Sequence, residues 1–170
     1  MPESACKPVY YVNAYSEPIL VRIEGRASFQ NSSGLKDFMA EMIRQGKGAF
    51  VVDFLRCTGM DSTFLGVLAG AALELRKKPG RHSLVLVRVG PRNLELVRNL
   101  GLHRLLTVDS GEFAMNFDKG GAVLPSQDRT ELENARLVLE AHENLVAAEG
   151  GNAVKFQDVL VFLKSRVAGS

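Results

Sequence analysis

Apolar and polar positions run along this chain in blocks whose period switches several times, and each switch marks an element. Val9-Tyr10-Tyr11-Val12 is rich in β-formers, and the run from Pro18 through Ile19-Leu20-Val21-Arg22-Ile23-Glu24 alternates at its end and stops at Gly25. Ser16-Glu17-Pro18 between them is a turn signal, so the two runs predict an antiparallel pair. Asn31-Ser32-Ser33-Gly34 then opens a helix in which Leu35, Phe38, Met39, Met42 and Ile43 recur at spacings of three and four, closed by Gly46 and Gly48. The unbroken run Ala49 to Leu55 predicts a central strand covered on both faces. A second helix starts at Asp61 or Ser62, with Leu65, Leu68, Ala69, Ala72 and Leu73 on its buried side, and ends before Pro79-Gly80. Gly66, Ala69, Gly70 and Ala71 keep this helix slim enough for close approach. Ser83 to Gly90 is a further central strand. Pro91 opens a third helix striped by Leu94, Val97, Leu100 and Leu102, and Leu105 to Val108 is a last short strand. The order β-β-α-β-α-β-α-β predicts an α/β domain: a mixed central sheet of four to five strands, parallel in its middle, with helices packed on it.

Beyond this core the pattern changes. Residues 109–127 fit neither period; Phe113 to Phe117 reads as a short strand or a helical turn, and Asp118 to Gly121 as a turn. From Thr130 the helical period returns, with Thr130 and Glu133 at capping-box spacing. Leu132, Ala135, Leu139 and Val146 form a loose stripe up to Glu149, Gly150-Gly151-Asn152 breaks it, and a last helix carries Val154, Phe156, Leu160, Leu163 and Val167. The chain is thus divided into an α/β domain (8–112), a connecting segment (113–127) and a C-terminal helical hairpin (128–168). The hairpin is expected to cover the sheet or to bind a partner, including a second copy of the chain.

Composition narrows the function classes. The 170 residues carry a formal net charge of +2 with 24% charged residues, which fits a soluble globular domain and gives no electrostatic footprint for nucleic acid. Arg76-Lys77-Lys78 sits where a helix ends, where cations complement the helix dipole. There is no basic flank followed by an apolar run at the start, and no stretch long enough to span a membrane, so a cytoplasmic location is expected. Cys6 and Cys57 make neither a disulfide framework nor a metal site, and Cys57 lies in an apolar run as packing. His82, His103 and His142 are far apart, each near an element end or on a polar helix face. The motifs of metalloproteases, serine hydrolases, P-loops and dinucleotide folds are missing, and Asp53 with Asp61 is too sparse for Mg²⁺. The expectation is a protein that is not an enzyme and uses no cofactor.

The stretch from Asp53 to Leu73 is the informative one. A buried strand leads through Arg56-Cys57-Thr58-Gly59-Met60 to Asp61-Ser62-Thr63 at the start of a helix of small residues. Such a serine lies among unpaired backbone N–H groups at the positive end of the dipole, where a phosphate is tolerated. It would also add nearly two negative charges beside Asp61 and so repel a partner.

Three places in the chain carry a resemblance to a known family. Ile19 to Arg26 looks like a family strand with its glycine; Val51-Val52-Asp53-Phe54 followed by Met60-Asp61-Ser62-Thr63-Phe64-Leu65-Gly66-Val67-Leu68 looks like its "D-S-S/T-G-L-G-V-L" signature; Asn93 to Leu102, ending Leu100-Gly101-Leu102, looks like its closing helix. Over residues 8–112 the chain resembles the STAS family, the anti-sigma-factor antagonist domains of bacteria. The resemblance implies that Ser62 is phosphorylated by a serine kinase that is also an anti-sigma factor, with Thr63 the alternative site. It implies that the unphosphorylated form binds that kinase, and that a PP2C-type phosphatase resets the switch. The implied partner surface is Arg26, Gly59, Met60, Asp61, Thr63 and Phe64, together with the loop from Arg26 to Asn31. Met60 and Phe64 are read either as exposed anchors or as buried under the third helix. Phe64 replaces the family's usual glycine, and Gly25-Arg26-Ala27-Ser28 replaces a common acidic "G-E-L-D" run. The alternatives are a scaffold module working through its C-terminal helices without phosphorylation, or a domain sensing a lipid or nucleotide.

Overall fold

The computed structural model describes residues 9–109, 117, 120–125 and 128–169. Its elements are β1 (Tyr10–Asn13), β2 (Ile19–Ala27), α1 (Ser32–Arg44), β3 (Ala49–Met60), α2 (Ser62–Arg76), β4 (Ser83–Val87), α3 (Pro91–Asn99), β5 (Thr107–Asp109), β6 (Gly121–Val123), α4 (Glu131–Ala148), α5 (Asn152–Lys155) and α6 (Gln157–Ala168). A single 3₁₀ turn, Leu102–Arg104, leads into β5.

The sheet runs in the order β5-β4-β3-β2-β1-β6. β2, β3, β4 and β5 are parallel neighbours, β1 returns antiparallel to β2, and β6 adds antiparallel to β1. The expected mixed sheet is therefore present, with six strands. The extra strand, β6, comes from the segment read as a connector. Its pairs Tyr11↔Val123, Val12↔Ala122 and Asn13↔Gly121 give it a place that its own three exposed residues do not announce. Gly121 is accordingly in a strand and not a turn. The expectation for Phe113 to Asn116 falls outside the described residues.

Alternation along the strands sorts the core. Ile19, Val21 and Ile23 of β2, Phe50, Val52 and Phe54 of β3, and Leu84 and Leu86 of β4 face α1, α2 and α3 in one large cluster. Leu20, Val51 and Val87 on the opposite face form a small second cluster with Val85 and Phe117. Asp53 shares that face. It is 1% exposed and accepts from Arg88 Nε at 2.9 Å, with Arg22 also within ion-pair distance, so its charge is matched and no open metal ligand is left.

The C-terminal helices form the expected hairpin, α4 against α6, with the short α5 at the bend. α4 begins on the capping box of Thr130 and Glu133. It does not cover the sheet. It lies on the outer side of α2, so that α2 is sandwiched, and its residues from Thr63 to Ala69 are all buried. Gly101, at φ 72°, ends α3 in a left-handed turn, and it packs against Glu149.

Candidate functional site

β3 continues to Met60, five residues beyond the expected strand, because β2 follows it in parallel, across two register shifts, through the pairs Gly25↔Cys57, Arg26↔Gly59 and Ala27↔Met60. The chain then turns within one residue into α2. Asp61 makes that turn: extended at ψ 176°, it caps the helix by accepting from Phe64 N at 3.0 Å. Its other oxygen accepts from Phe29 N at 2.9 Å, which ties the loop after β2 to the same helix end. Asn31 finishes that loop. Its Oδ1 accepts from Tyr10 Oη and Ser28 N, and its Nδ2 donates to Arg26 O at 2.8 Å.

Ser62 is the first residue of α2 and is half-buried. Its Oγ lies 2.8 Å from His142 Nε2 of α4. His142 Nδ1 lies 2.7 Å from the Val138 carbonyl, which can only accept, so Nδ1 carries the proton. In the neutral ring Nε2 is then the acceptor, and the Ser62 hydroxyl donates. The ring is 4% exposed and meets Phe156 edge-on at 4.7 Å between centroids. Ser62 also borders an open cleft of about 510 Å³, shared with Met60, Leu65 and Leu100 of the α/β domain and with Lys155 and Phe156 of the C-terminal helices. Lys155 Nζ donates to the Asn99 carbonyl across it.

The sequence-derived surface divides in two. Arg26, Gly59, Asp61 and Ser62 come together at the surface end of β2, β3 and α2, with Arg26 beside Gly59. Met60, Thr63 and Phe64 lie beneath it. Of the two readings of Met60 and Phe64, exposed anchor or buried packing, the exposed one is corrected and burial holds: Met60 is 5% exposed and Phe64 0%. Phe64 sits within the core, stacked on Tyr10 at 6.3 Å and edge-on to Phe54 at 6.1 Å. A ring there fills volume that a glycine would leave empty. Thr63 is 4% exposed, so its hydroxyl is not presented as Ser62's is. Phe29, 41% exposed, is the aromatic that does reach the surface here.

Burial sets the titration of two neighbours. It pushes the Cys57 thiol up, and it pushes the Tyr10 hydroxyl above its ordinary value. Among the described residues there is no group of three or more His, Cys, Asp or Glu fit to hold a metal ion. Among the described residues, no helix is long and apolar enough to cross a membrane. The residues that sequence reasoning missed are His142 and Lys155. The sequence puts His142 near an element end or on a polar face, yet it lies seven residues after Ala135 and three before Leu145, both of them buried.

Comparison with known proteins adds three findings. Residues 12–107 match the family model described as "Mlab, STAS domain". The anti-sigma factor antagonist SpoIIAA in its unphosphorylated form superposes with a TM-score of 0.51 at 18% identity, over 61% of this chain and 89% of that one. The Bacillus cell fate determinant SpoIIAA in the phosphorylated form gives 0.49 at 19% identity, over 59% and 91%. No curated protein sequence matches the chain. The expected α/β architecture is shared with the first of these structures, and the C-terminal helices lie beyond the matched family region.

Proposed function

The chain belongs to the STAS domain family, and from that premise we propose that it is a regulatory protein switched by phosphorylation of Ser62. In this reading the unphosphorylated chain binds a serine-kinase anti-sigma factor through the N-terminal end of α2, phosphorylation of Ser62 releases it, and a PP2C-type phosphatase restores binding. The observation that supports it most is the placement of Ser62: a half-buried hydroxyl on the first residue of a helix, at the rim of an open cleft, with Thr63 buried behind it. A phosphate at this point would add about −1.5 to −2 charge beside Asp61, whose carboxylate is already held by two backbone donors. In this reading a docked partner meets repulsion from that charge. The partner surface is then Arg26, Gly59, Asp61 and Ser62, with Phe29 as its aromatic contact.

Phosphopeptide mapping of residues 57–76 on the protein from its own host, grown and stressed, tests this. Phosphate on Ser62 is expected, together with a kinase that binds Ser62→Ala and loses Ser62→Asp. No phosphate under any condition would remove the switch and leave Ser62 as part of the helix start.

A second reading, a scaffold that contacts partners or its own copy through the C-terminal helices, is favoured by one specific feature. Val154, Val161 and Phe162 are 78%, 65% and 64% exposed. Sedimentation of the native chain and of Phe162→Ser separates them: association that this substitution abolishes supports the scaffold.

A further inference from the structure

We propose that His142 is a built-in ligand for a phosphate on Ser62: once Ser62 is phosphorylated, the ring takes a second proton at Nε2 and, together with Lys155, holds the phosphoryl group against the C-terminal helices. This rests on the reading of Ser62 as the modified residue, and it names the groups that answer the new charge.

Phosphorylation removes the one proton that joins the two side chains. In the unmodified chain Ser62 Oγ donates across 2.8 Å to Nε2, and the Nδ1 proton is committed to the Val138 carbonyl. When a kinase transfers the terminal phosphoryl group of a nucleoside triphosphate, the Oγ–H bond breaks, an Oγ–P bond forms, the nucleoside diphosphate leaves and one proton is released. The ester oxygen and the ionised phosphoryl oxygens are acceptors. A neutral ring would set the lone pair of Nε2 against theirs. With the released proton on Nε2, the same approach becomes a charge-assisted hydrogen bond, the stronger class. The phosphate itself favours that charged ring, as an opposite charge at contact distance does.

The ring is held where this must happen. It is 4% exposed and meets Phe156 edge-on. The helix that carries it is anchored by Ala135, Leu137, Ala141 and Leu145, all buried. α4 also approaches α2 so closely that a Cβ at Gly66 would collide with the Ala141 carbonyl. His142 therefore has no room to withdraw from a larger Ser62, and the adjustment falls on its protons.

The charges around the cleft suit the change. Asp61 and Lys155 are the charged side chains that border it with Ser62. Both Asp61 oxygens already accept, from Phe64 N and Phe29 N. Lys155 Nζ donates to a backbone carbonyl, that of Asn99, and not to a carboxylate, so its charge can turn to a phosphate. On α4 itself, Glu140 is paired with Lys36. A phosphoserine brings about −1.5 to −2 charge, and one imidazolium offsets only part of it, so repulsion of a docked partner survives. His142 and Lys155 both lie beyond residue 107, where the family match ends, which makes the phosphate ligands this chain's own addition.

The test uses the full chain with phosphoserine inserted at position 62 during translation, so that no kinase is needed. Nitrogen NMR of the labelled histidine rings at neutral pH reads the native side chain without a substitution. His142 is expected to show one protonated and one bare nitrogen in the unmodified chain, and two protonated nitrogens in the phosphorylated one. Phosphorus NMR titration is expected to find the phosphate about tenfold more acidic than in the His142→Gln variant, the size of one hydrogen bond to a charged group. Lys155→Gln is expected to move it in the same direction by less. A ring that stays singly protonated beside the phosphate overturns the proposal, and so does a phosphate equally acidic with and without His142. Loss of amide protection across residues 131–168 on phosphorylation also overturns it, because the helices then part from the phosphate instead of holding it. The switch reading fails separately. Ser62 unmodified in the host, with a doubly protonated ring in the phosphoserine chain, removes the switch and leaves the ligand assignment standing. Ser62 modified in the host, with a singly protonated ring, removes the ligand assignment alone.

Discussion

The two faces of α2 are packed by opposite means. Toward the sheet, Phe64, Leu65 and Leu68 are fully buried, and Phe64 meets the rings of Tyr10 and Phe54. Toward α4 the helix offers Gly66 and Gly70, and the contact is completed by Ser62 with His142 and Asn144 with a backbone carbonyl. Large rings interlocked in a core resist any separation, because each buried ring leaves a cavity behind when it goes. Small residues bring the two backbones close, and α4 adds the buried Leu137, Ala141 and Leu145 to those polar bonds. One helix thus carries a face of interlocked rings and a face of close backbone approach, and Ser62 stands where they join.

Mutations on the two faces should therefore differ in size and in reach. Phe64→Ala is expected to cost about 4 kcal/mol and to lower the urea midpoint of the whole domain. A loss confined to the C-terminal helices would break the comparison. His142→Ala removes the bond to Ser62 and the edge contact with Phe156, worth about 2 kcal/mol together. That loss should register as exchange in α4 and leave the sheet unmoved. Asp61→Ala strikes the point that both faces share, and about 1 kcal/mol of cap energy should be lost, seen as fraying of the first turn of α2 and of the loop at Phe29 by NMR.

The smallest effect belongs to pH and to the inner face. Burial raises the Tyr10 hydroxyl above its unfolded value, so the neutral phenol is what the fold prefers. The stability this gives is complete below about pH 10, the ordinary tyrosine value, and is lost as pH rises toward the folded value. Tyr10→Phe should flatten the alkaline limb of the stability curve; an unchanged limb would assign it to other groups.

Much of the domain was legible because its elements bury one regular stripe each. The heptad-like spacing of Leu35, Met39, Met42 and Ile43 and the compact run from Phe50 to Phe54 both place residues in the main cluster. The signature around Ser62 was legible as well, since Asp61 is a cap by chemistry before it is one by structure. Three things were not. Whether Phe64 is an anchor or packing stays open in the sequence because a helix buried on both sides has no polar face to mark which side is outside. β6 has three exposed residues, and its strand character comes from β1, a long-range pairing that no local period reports. His142 stands 80 positions from Ser62, and a hydrogen bond of that span leaves no mark on either segment alone.

β5 and β6, the strands at the two ends of the sheet order, are three residues each among the described residues. A rim that short presents too few free amides and carbonyls to template a further strand from another molecule. Backbone-to-backbone growth of the sheet is thereby discouraged at both ends, in a chain whose central strands are otherwise apolar enough to invite it. What the molecule has left to offer its neighbours is side chains on helices and turns, and these, unlike a bare strand edge, choose between one visitor and the next.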